Sequence, residues 1–479
     1  MRKEQLTILI VVCLGCFFYI QSIGSINVSL PAIQKEFGVS LAAVQWIGLM
    51  GTVMLSSLSL CFGRTGDIFG RKKMFEIGLA LYSLGAGLAT LSASFPQLLF
   101  FRCVMAVGLA MAVPIAAALI ASTQPHESRG QALGLLASSM AIGRMTGPTI
   151  GGFILFFWGW RAVFLTNCLF GVVLCLTLFW VLKGKEERLE GTLDFWSVAF
   201  LTIGFPSVLI ALSLGPISGW GSPQISLWFG LGAAGLVGFV WRELRSSAPL
   251  MKLSYFKNVS LSAAIVSLTM SSAVQYPISI FGPLYMQNVL HASALAVGLV
   301  MATLPFCTAI FSPLSGRLGD RFNARWVAAL GLCFILLGLF FYSRLGINSP
   351  NIRLVSALAV FGVGIGLFTP ANQKLAFSFV HSEDYGILSA MLTSFGTASG
   401  TLGATVAVAL AEASRKDRAI QDAVGFAYDQ QFAFSLLLPV AAVAVVITLL
   451  GRSDPRVKNG SVAFLKRAPA RDLKRPDEN

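Results

Sequence analysis

Gly63-Arg64-Thr65-Gly66-Asp67-Ile68-Phe69-Gly70-Arg71-Lys72-Lys73 lies between two long apolar runs, and its reading decides the fold. It is too short to be a domain and too charged for a bilayer interior. Gly63 and Gly70 predict a tight turn at a membrane surface. Asp67 and the Arg71–Lys73 cluster bring both signs of charge into one loop, where they can pair or cap helix ends. A weaker copy, Gly316-Arg317-Leu318-Gly319-Asp320-Arg321-Phe322-Asn323-Ala324-Arg325, also sits between apolar runs. Two such loops in corresponding places predict two related halves.

Composition points the same way. The 479-residue chain is 56% hydrophobic and only 12% charged. Soluble domains carry about 25% charged residues, so this chain reads as an integral membrane protein. The net charge of +14 does not indicate nucleic-acid binding. Its basic residues sit in short loops and the tail, as cytoplasmic membrane loops do. Cys13, Cys16, Cys61, Cys103, Cys168, Cys175, Cys307 and Cys333 all lie in apolar runs. They read as small hydrophobes, not as disulfides or a metal set. The first apolar run is long and reads as a span, not a cleaved signal.

Apolar runs near 7–30, 45–63, 74–93, 97–120, 131–153, 162–182, 195–214, 225–243, 259–281, 296–315, 326–345, 352–373, 386–411 and 432–451 can each cross a bilayer as a helix. The expected fold is an all-α polytopic membrane protein of about fourteen spans. Two six-helix bundles, 1–182 and 259–451, flank a charged linker with two extra central transmembrane helices, 183–258. A basic cytoplasmic tail, 452–479, follows. One set of connections holds most of the Lys and Arg, including Arg2, Lys3, the Arg71–Lys73 cluster, Arg129 and the tail. The positive-inside rule makes that side, and both termini, cytoplasmic, in a bacterial-type plasma (inner) membrane.

The first loop resembles the signature loop of the major facilitator superfamily. The second keeps Gly316, Asp320 and Arg325 but has Asn323 where that family has its second glycine. Six spans around each loop, with two more between, are similar to the fourteen-span drug:proton antiporter subfamily. The resemblance implies a small-molecule substrate, protons as coupling ion, membrane lipids as surroundings, a monomer and no cofactor.

Gly134, Gly143-Arg144-Met145-Thr146-Gly147-Pro148 and Gly151-Gly152 resemble the fifth-span motif of the antiporter branch, which implies export. Gly143, Gly147 and Gly151 recur every four residues, share one helix face, and predict close approach of a second helix. Pro148 predicts a bend. In the fourth span, Arg102 resembles the arginine that the family ties to proton movement, but Met105 and Ala106 replace its usual neighbours.

The first span departs from the drug-exporting pattern. The usual acid is absent, and Ser22 stands there beside Gln21. Glu76 and Glu412 lie near span ends, and Gly51 stands where relatives often have tyrosine. A lipophilic cation in a low-dielectric cavity needs a carboxylate, and proton coupling needs a titratable group. The expected cavity is therefore neutral or positive. Arg102, Arg144, Gln21, Ser22, Asn27 and Gln275 are candidates for the substrate or proton pathway. Tyr276, Asn372 and Gln373 are further polar groups that also suit helix–helix hydrogen bonds.

Three readings of function follow: a proton-driven exporter, a membrane-embedded enzyme, and a carrier, lipid-handling or sensor protein without classical proton–drug exchange. The enzyme reading has no inventory. His126, His291 and His381 are far apart, and no HExxH, G-x-S-x-G or P-loop is present.

Overall fold

The computed structural model describes residues 3–39, 41–125, 127–181, 194–246, 250–251, 253–292, 294–347, 349–416 and 423–451. His126, the linker beginning at Lys183 and the basic tail from residue 452 lie outside them, as does the side chain of Glu412. Regular structure among the described residues is helical throughout, because apolar chain in lipid must satisfy its backbone internally. The first half holds α1 (Lys3–Phe37), α2 (Leu41–Phe69), α3 (Arg71–Thr90), α4 (Phe95–Thr123) and α5 (Arg129–Val181). Then come α6 (Phe195–Ser218) and α7 (Pro223–Arg245). The rest is α8 (Val259–Asn288), α9 (Ala294–Met301), α10 (Thr303–Arg321), α11 (Ala324–Ser343), α12 (Asn351–Ser378), α13 (Tyr385–Lys416) and α14 (Ala423–Leu450).

Among the described residues, 12 helices are long and apolar enough to cross a membrane, where the sequence predicts about fourteen crossings. Two places account for the difference. α3 begins with Arg71-Lys72-Lys73 and carries Glu76, and it is not one of the 12. α5 is a single stretch of 53 residues. If straight it would run about 80 Å, far beyond a bilayer of about 30 Å. It is not straight. Gly159 has φ 77 and ψ 177, a conformation that glycine adopts without a Cβ clash. On one side of Gly159, Gly143 abuts Phe17 of α1. On the other, Phe170 stacks on Phe18, with ring centroids 5.9 Å apart. Two distant positions of α5 therefore meet neighbouring positions of α1, so its two arms run antiparallel. Trp160 Nε1 and Arg161 Nη1 donate to Glu36 at 2.6 and 2.5 Å and tie the bend to the far end of α1. Pro148 keeps helical dihedrals, and the break lies at Gly159, between the expected spans 131–153 and 162–182.

Two apolar cores hold the chain. One packs α1–α4 with both arms of α5 around Phe75, Leu79, Leu109 and Phe164, and continues into α6–α8, α12 and α13 through residues such as Leu201, Phe239, Ile265, Phe377 and Leu388. The other packs α8, α11, α12 and α14 around Ile335, Leu339, Phe361 and Phe434. α6 and α7 pair through Gly204 and Gly235, where a Cβ on Gly204 would lie 2.7 Å from the Leu236 nitrogen. Asp194 caps α6 by accepting from the Trp196 and Ser197 amides. It also accepts from Arg242 Nε at 2.7 Å and Ser246 Oγ at 2.6 Å, joining the start of α6 to the end of α7. Burial pushes its carboxyl up, but the bonds from Ser246 and Arg242 outweigh that and hold it below the usual carboxylate range. α6 packs against both α2 and α13, and Thr405 of α13 donates to its Leu212 carbonyl at 3.4 Å. α6 thus covers one of the two seams between the halves.

Candidate functional site: a paired latch

Asp67 lies in the last turn of α2, and Gly70 is the single residue between α2 and α3. Its φ of 109 requires glycine. Gly63 is not part of the turn as expected. It is helical, and a Cβ there would meet the Ala390 Cβ at 2.5 Å and the Gly386 carbonyl at 2.6 Å. Its smallness lets α2 touch α13.

Asp67 is the centre of a buried network. Its carboxylate accepts the Gly386 amide at 2.9 Å and the Ile387 amide at 3.0 Å. Arg71 donates to it through Nε at 2.8 Å and Nη2 at 2.6 Å. The same Nη2 reaches the Ser382 carbonyl at 2.5 Å. Arg64 pairs with Asp384 at 3.7 Å, and Tyr255 donates to the other oxygen of Asp384. Burial and the Asp384 carboxylate raise the Tyr255 hydroxyl well above its ordinary range, so it remains a donor. A carboxylate held by an arginine and two first-turn amides combines charge-assisted bonds with the helix dipole.

The second loop builds the mirror arrangement. Asp320 accepts the Gly130 and Gln131 amides at the start of α5, both at 2.9 Å. Its cation is Lys374 of α12, at 2.6 Å, and not an arginine of its own loop. Arg325 turns instead to the Gly451 carbonyl and the Trp326 ring. Asn323 replaces glycine without strain: its φ is −66 and its side chain caps α11 through the Arg325 amide. Tyr385 joins the two networks. Arg129 donates to its hydroxyl at 2.8 Å, and Arg71 and Arg129 lie 5.7 and 5.2 Å from its ring.

The glycine face of the first arm of α5 packs on α1. A Cβ on Gly143 would lie 2.6 Å from the Phe17 carbonyl, and one on Gly147 would lie 2.5 Å from that of Gln21. Gly151 abuts Ser25, whose hydroxyl donates to the Gly147 carbonyl at 2.8 Å. Gly152 lies off this face, its nearest neighbour being Val28 at 3.9 Å from a Cβ position.

The polar pathway candidates separate. Gln21 is buried and donates to Ser25 at 2.8 Å inside the α1–α5 seam. Ser22 is buried and bonded to the Tyr82 hydroxyl, so the place of the missing acid is occupied by a neutral pair. Arg102 is buried; its Nε donates to the Ile47 carbonyl at 3.0 Å and its Nη1 has no partner among the described residues. Its Nη2 lies 3.1 Å from where a Gly51 Cβ would stand, so Gly51 leaves room for the guanidinium. Asn372 is a helix–helix bond, donating to the Ala264 carbonyl at 3.0 Å. Asn27 is exposed and Gln275 half-buried.

Arg144 of α5 and Tyr276 of α8 are both exposed. Two residues escaped the sequence reading. Lys374 belongs to no motif and in sequence is one more basic residue near a span end. Asp429 is a buried acid in α14; that helix begins at Ala423, nine residues before the span drawn from hydropathy.

Two helical halves, latched to each other at one end, make up the membrane-embedded fold. The chain matches the Major Facilitator Superfamily over residues 12–281 and again over 259–476, and it belongs to that superfamily. It is 30% identical over 408 residues to the multidrug resistance protein Stp of Mycobacterium tuberculosis (strain CDC 1551 / Oshkosh), covering 85% of this chain and 76% of that protein. It is 26% identical over 392 residues to the lincomycin resistance protein LmrB of Listeria monocytogenes, covering 82% and 83%. The human organic anion transporter MFSD10 superposes with TM-score 0.67 at 15% identity, covering 94% of this chain and 100% of that one. The proton:xylose symporter XylE gives 0.62 at 14%, covering 94% and 96%. These structural likenesses show the fold. The protein is an integral membrane transporter of the superfamily, with multidrug-resistance homologues.

Proposed function

We propose that this transporter exports a small amphiphilic compound by alternating access, in exchange for protons. The paired latch carries the reading. Asp67 and Asp320 each grip a helix of the opposite half at the same end of the molecule. Basic residues gather at the latched end, which makes it the cytoplasmic side of a bacterial inner membrane, with both termini there. In this reading the two arms of α5 and the helix α3 each cross, giving about fourteen spans. The bundles are then 1–182 and 259–451, joined through the inserted pair in 183–258, and the chain acts as a monomer. The glycine seam between α1 and α5 keeps those helices together while the halves rock.

A second reading, a carrier without classical proton–drug exchange, is favoured by one observation: the neutral Ser22–Tyr82 pair where an acid would titrate. Proteoliposomes loaded with a pH dye separate the two. Exchange predicts lumenal pH change when a transported amphiphile is added, abolished by Asp67→Asn. Transport with no pH change would select the second reading.

A further inference from the structure

We propose that a groove between α11 and α14 holds one anionic phospholipid, with an acyl chain in the groove and the phosphate on Arg344. The groove has a volume of about 810 Å³. Cys333 of α11 and Ser435 and Ala442 of α14 are small and leave the space, and Leu336, Phe340 and Leu438 wall it. Both helices are long and apolar enough to cross a membrane. Their buried faces build the second core through residues such as Leu339 and Phe434, and they pack mainly on helices of the second half. The groove therefore lies on the flank away from the first half, where the hydrocarbon of the bilayer meets it.

The two helices run antiparallel. Arg325 at the start of α11 reaches the Gly451 carbonyl beyond the end of α14, and at the other end Gln431 of α14 donates to the Leu345 carbonyl at 2.9 Å. Asp320 and the latch lie at the Arg325 end, so Arg344 stands at the far end. From Cys333 to Arg344 the helix climbs about 16 Å. That is roughly half of a hydrocarbon core of about 30 Å, the depth of one leaflet. Arg344 is exposed, and its guanidinium lies over the Phe340 ring, 5.3 Å from the centroid. That contact holds the charge at the mouth of the groove. Among the described residues Arg344 makes no ion pair, whereas Arg161, at the same end of the molecule, is paired with Glu36. Asp429, on the same turn of α14 as Gln431, is buried and does not reach it. A phosphate can take two parallel bonds from the guanidinium, with its acyl chain running inward along the apolar walls. In a zwitterionic headgroup the ammonium offsets that attraction, so the arrangement favours a lipid of net negative charge.

The test is native mass spectrometry of the purified, delipidated protein, titrated with phosphatidylglycerol or phosphatidylcholine of identical acyl chains. Melting curves confirm the fold of each variant. The first phosphatidylglycerol is expected to bind at least about tenfold tighter than the first phosphatidylcholine. Arg344→Gln is expected to bring phosphatidylglycerol down to the affinity of phosphatidylcholine, and Arg344→Lys to keep part of the preference. Cys333→Trp fills the inner end of the groove from an exposed position and leaves the arginine in place. It should weaken the first phosphatidylglycerol by about tenfold. Equal affinity for the two lipids, a preference that survives Arg344→Gln, or a first binding step indifferent to Cys333→Trp would overturn the assignment. So would a dimer of the delipidated protein that Cys333→Trp abolishes, since a second copy of the chain would then be the occupant.

Discussion

Asp67 and Asp320 stand at equivalent turns of the two halves, and each carboxylate holds the first amides of a helix from the other half: Gly386 and Ile387 for Asp67, Gly130 and Gln131 for Asp320. One end of the molecule is thus closed twice by the same device, with Arg71 and Lys374 as the respective cations.

Asp67→Asn keeps the shape of the side chain but removes its charge and leaves Arg71 without its partner. Breaking a buried pair from one side costs about 3–5 kcal/mol. Transport is expected to fall by at least about tenfold, with normal amounts of protein in the membrane. Near-parental transport rates by that variant would dismiss the latch role.

Lys374→Ala should weaken the second closure without touching the first, because Asp320 keeps its two amide donors. A smaller loss is expected than for Asp67→Asn. The double variant should lose more than the sum of the singles, since Tyr385 couples both networks through Arg129. Strict additivity in a transport cycle would show that the two closures act independently.

Gly147→Val forces a side chain into the Gln21 carbonyl and Gly24 of α1. Gly152→Ala meets open space by comparison. The valine is expected to abolish transport or lower the melting temperature by several degrees, and the alanine to do neither. If both behaved alike, the stretch would be ordinary packing.

The Asp194 carboxyl sits below its ordinary range because of Ser246 and Arg242. A depressed acid stabilises the folded form above its unfolded pKa, and the contribution fades as pH falls through the folded value. Melting curves should therefore show Asp194→Asn to be less stable than the parent at neutral pH, with the gap closing at strongly acid pH. A gap that stays constant down to that range would mean the Asp194 charge contributes nothing to the pairing of α6 with α7.

Much of the latch was legible in the chain. Both loops, their aspartates and the four-residue glycine rhythm are local patterns with direct physical meaning. Their partners were not legible. The amides of Gly386 and Gly130 are backbone groups that look like any others until the fold brings them across the interface. Lys374 is a long-range substitute for an arginine that the second loop directs elsewhere. Gly63 reads as a turn residue because glycine serves turns and close contacts alike. The polar start of α14 diluted its hydropathy and hid Asp429. Gly51 is explained only once Arg102 is seen to occupy the space beside it.

The placement of α6 gives the carrier a kinematic handedness. It touches α2 and α13 together, whereas the α5–α10 seam meets through small groups such as Gly130, Gly134 and Ser312. If the halves rock, the side spanned by α6 becomes the pivot and the opposite side the sweep. Distances measured by paired spin labels should then change more between α5 and α10 than between α2 and α13.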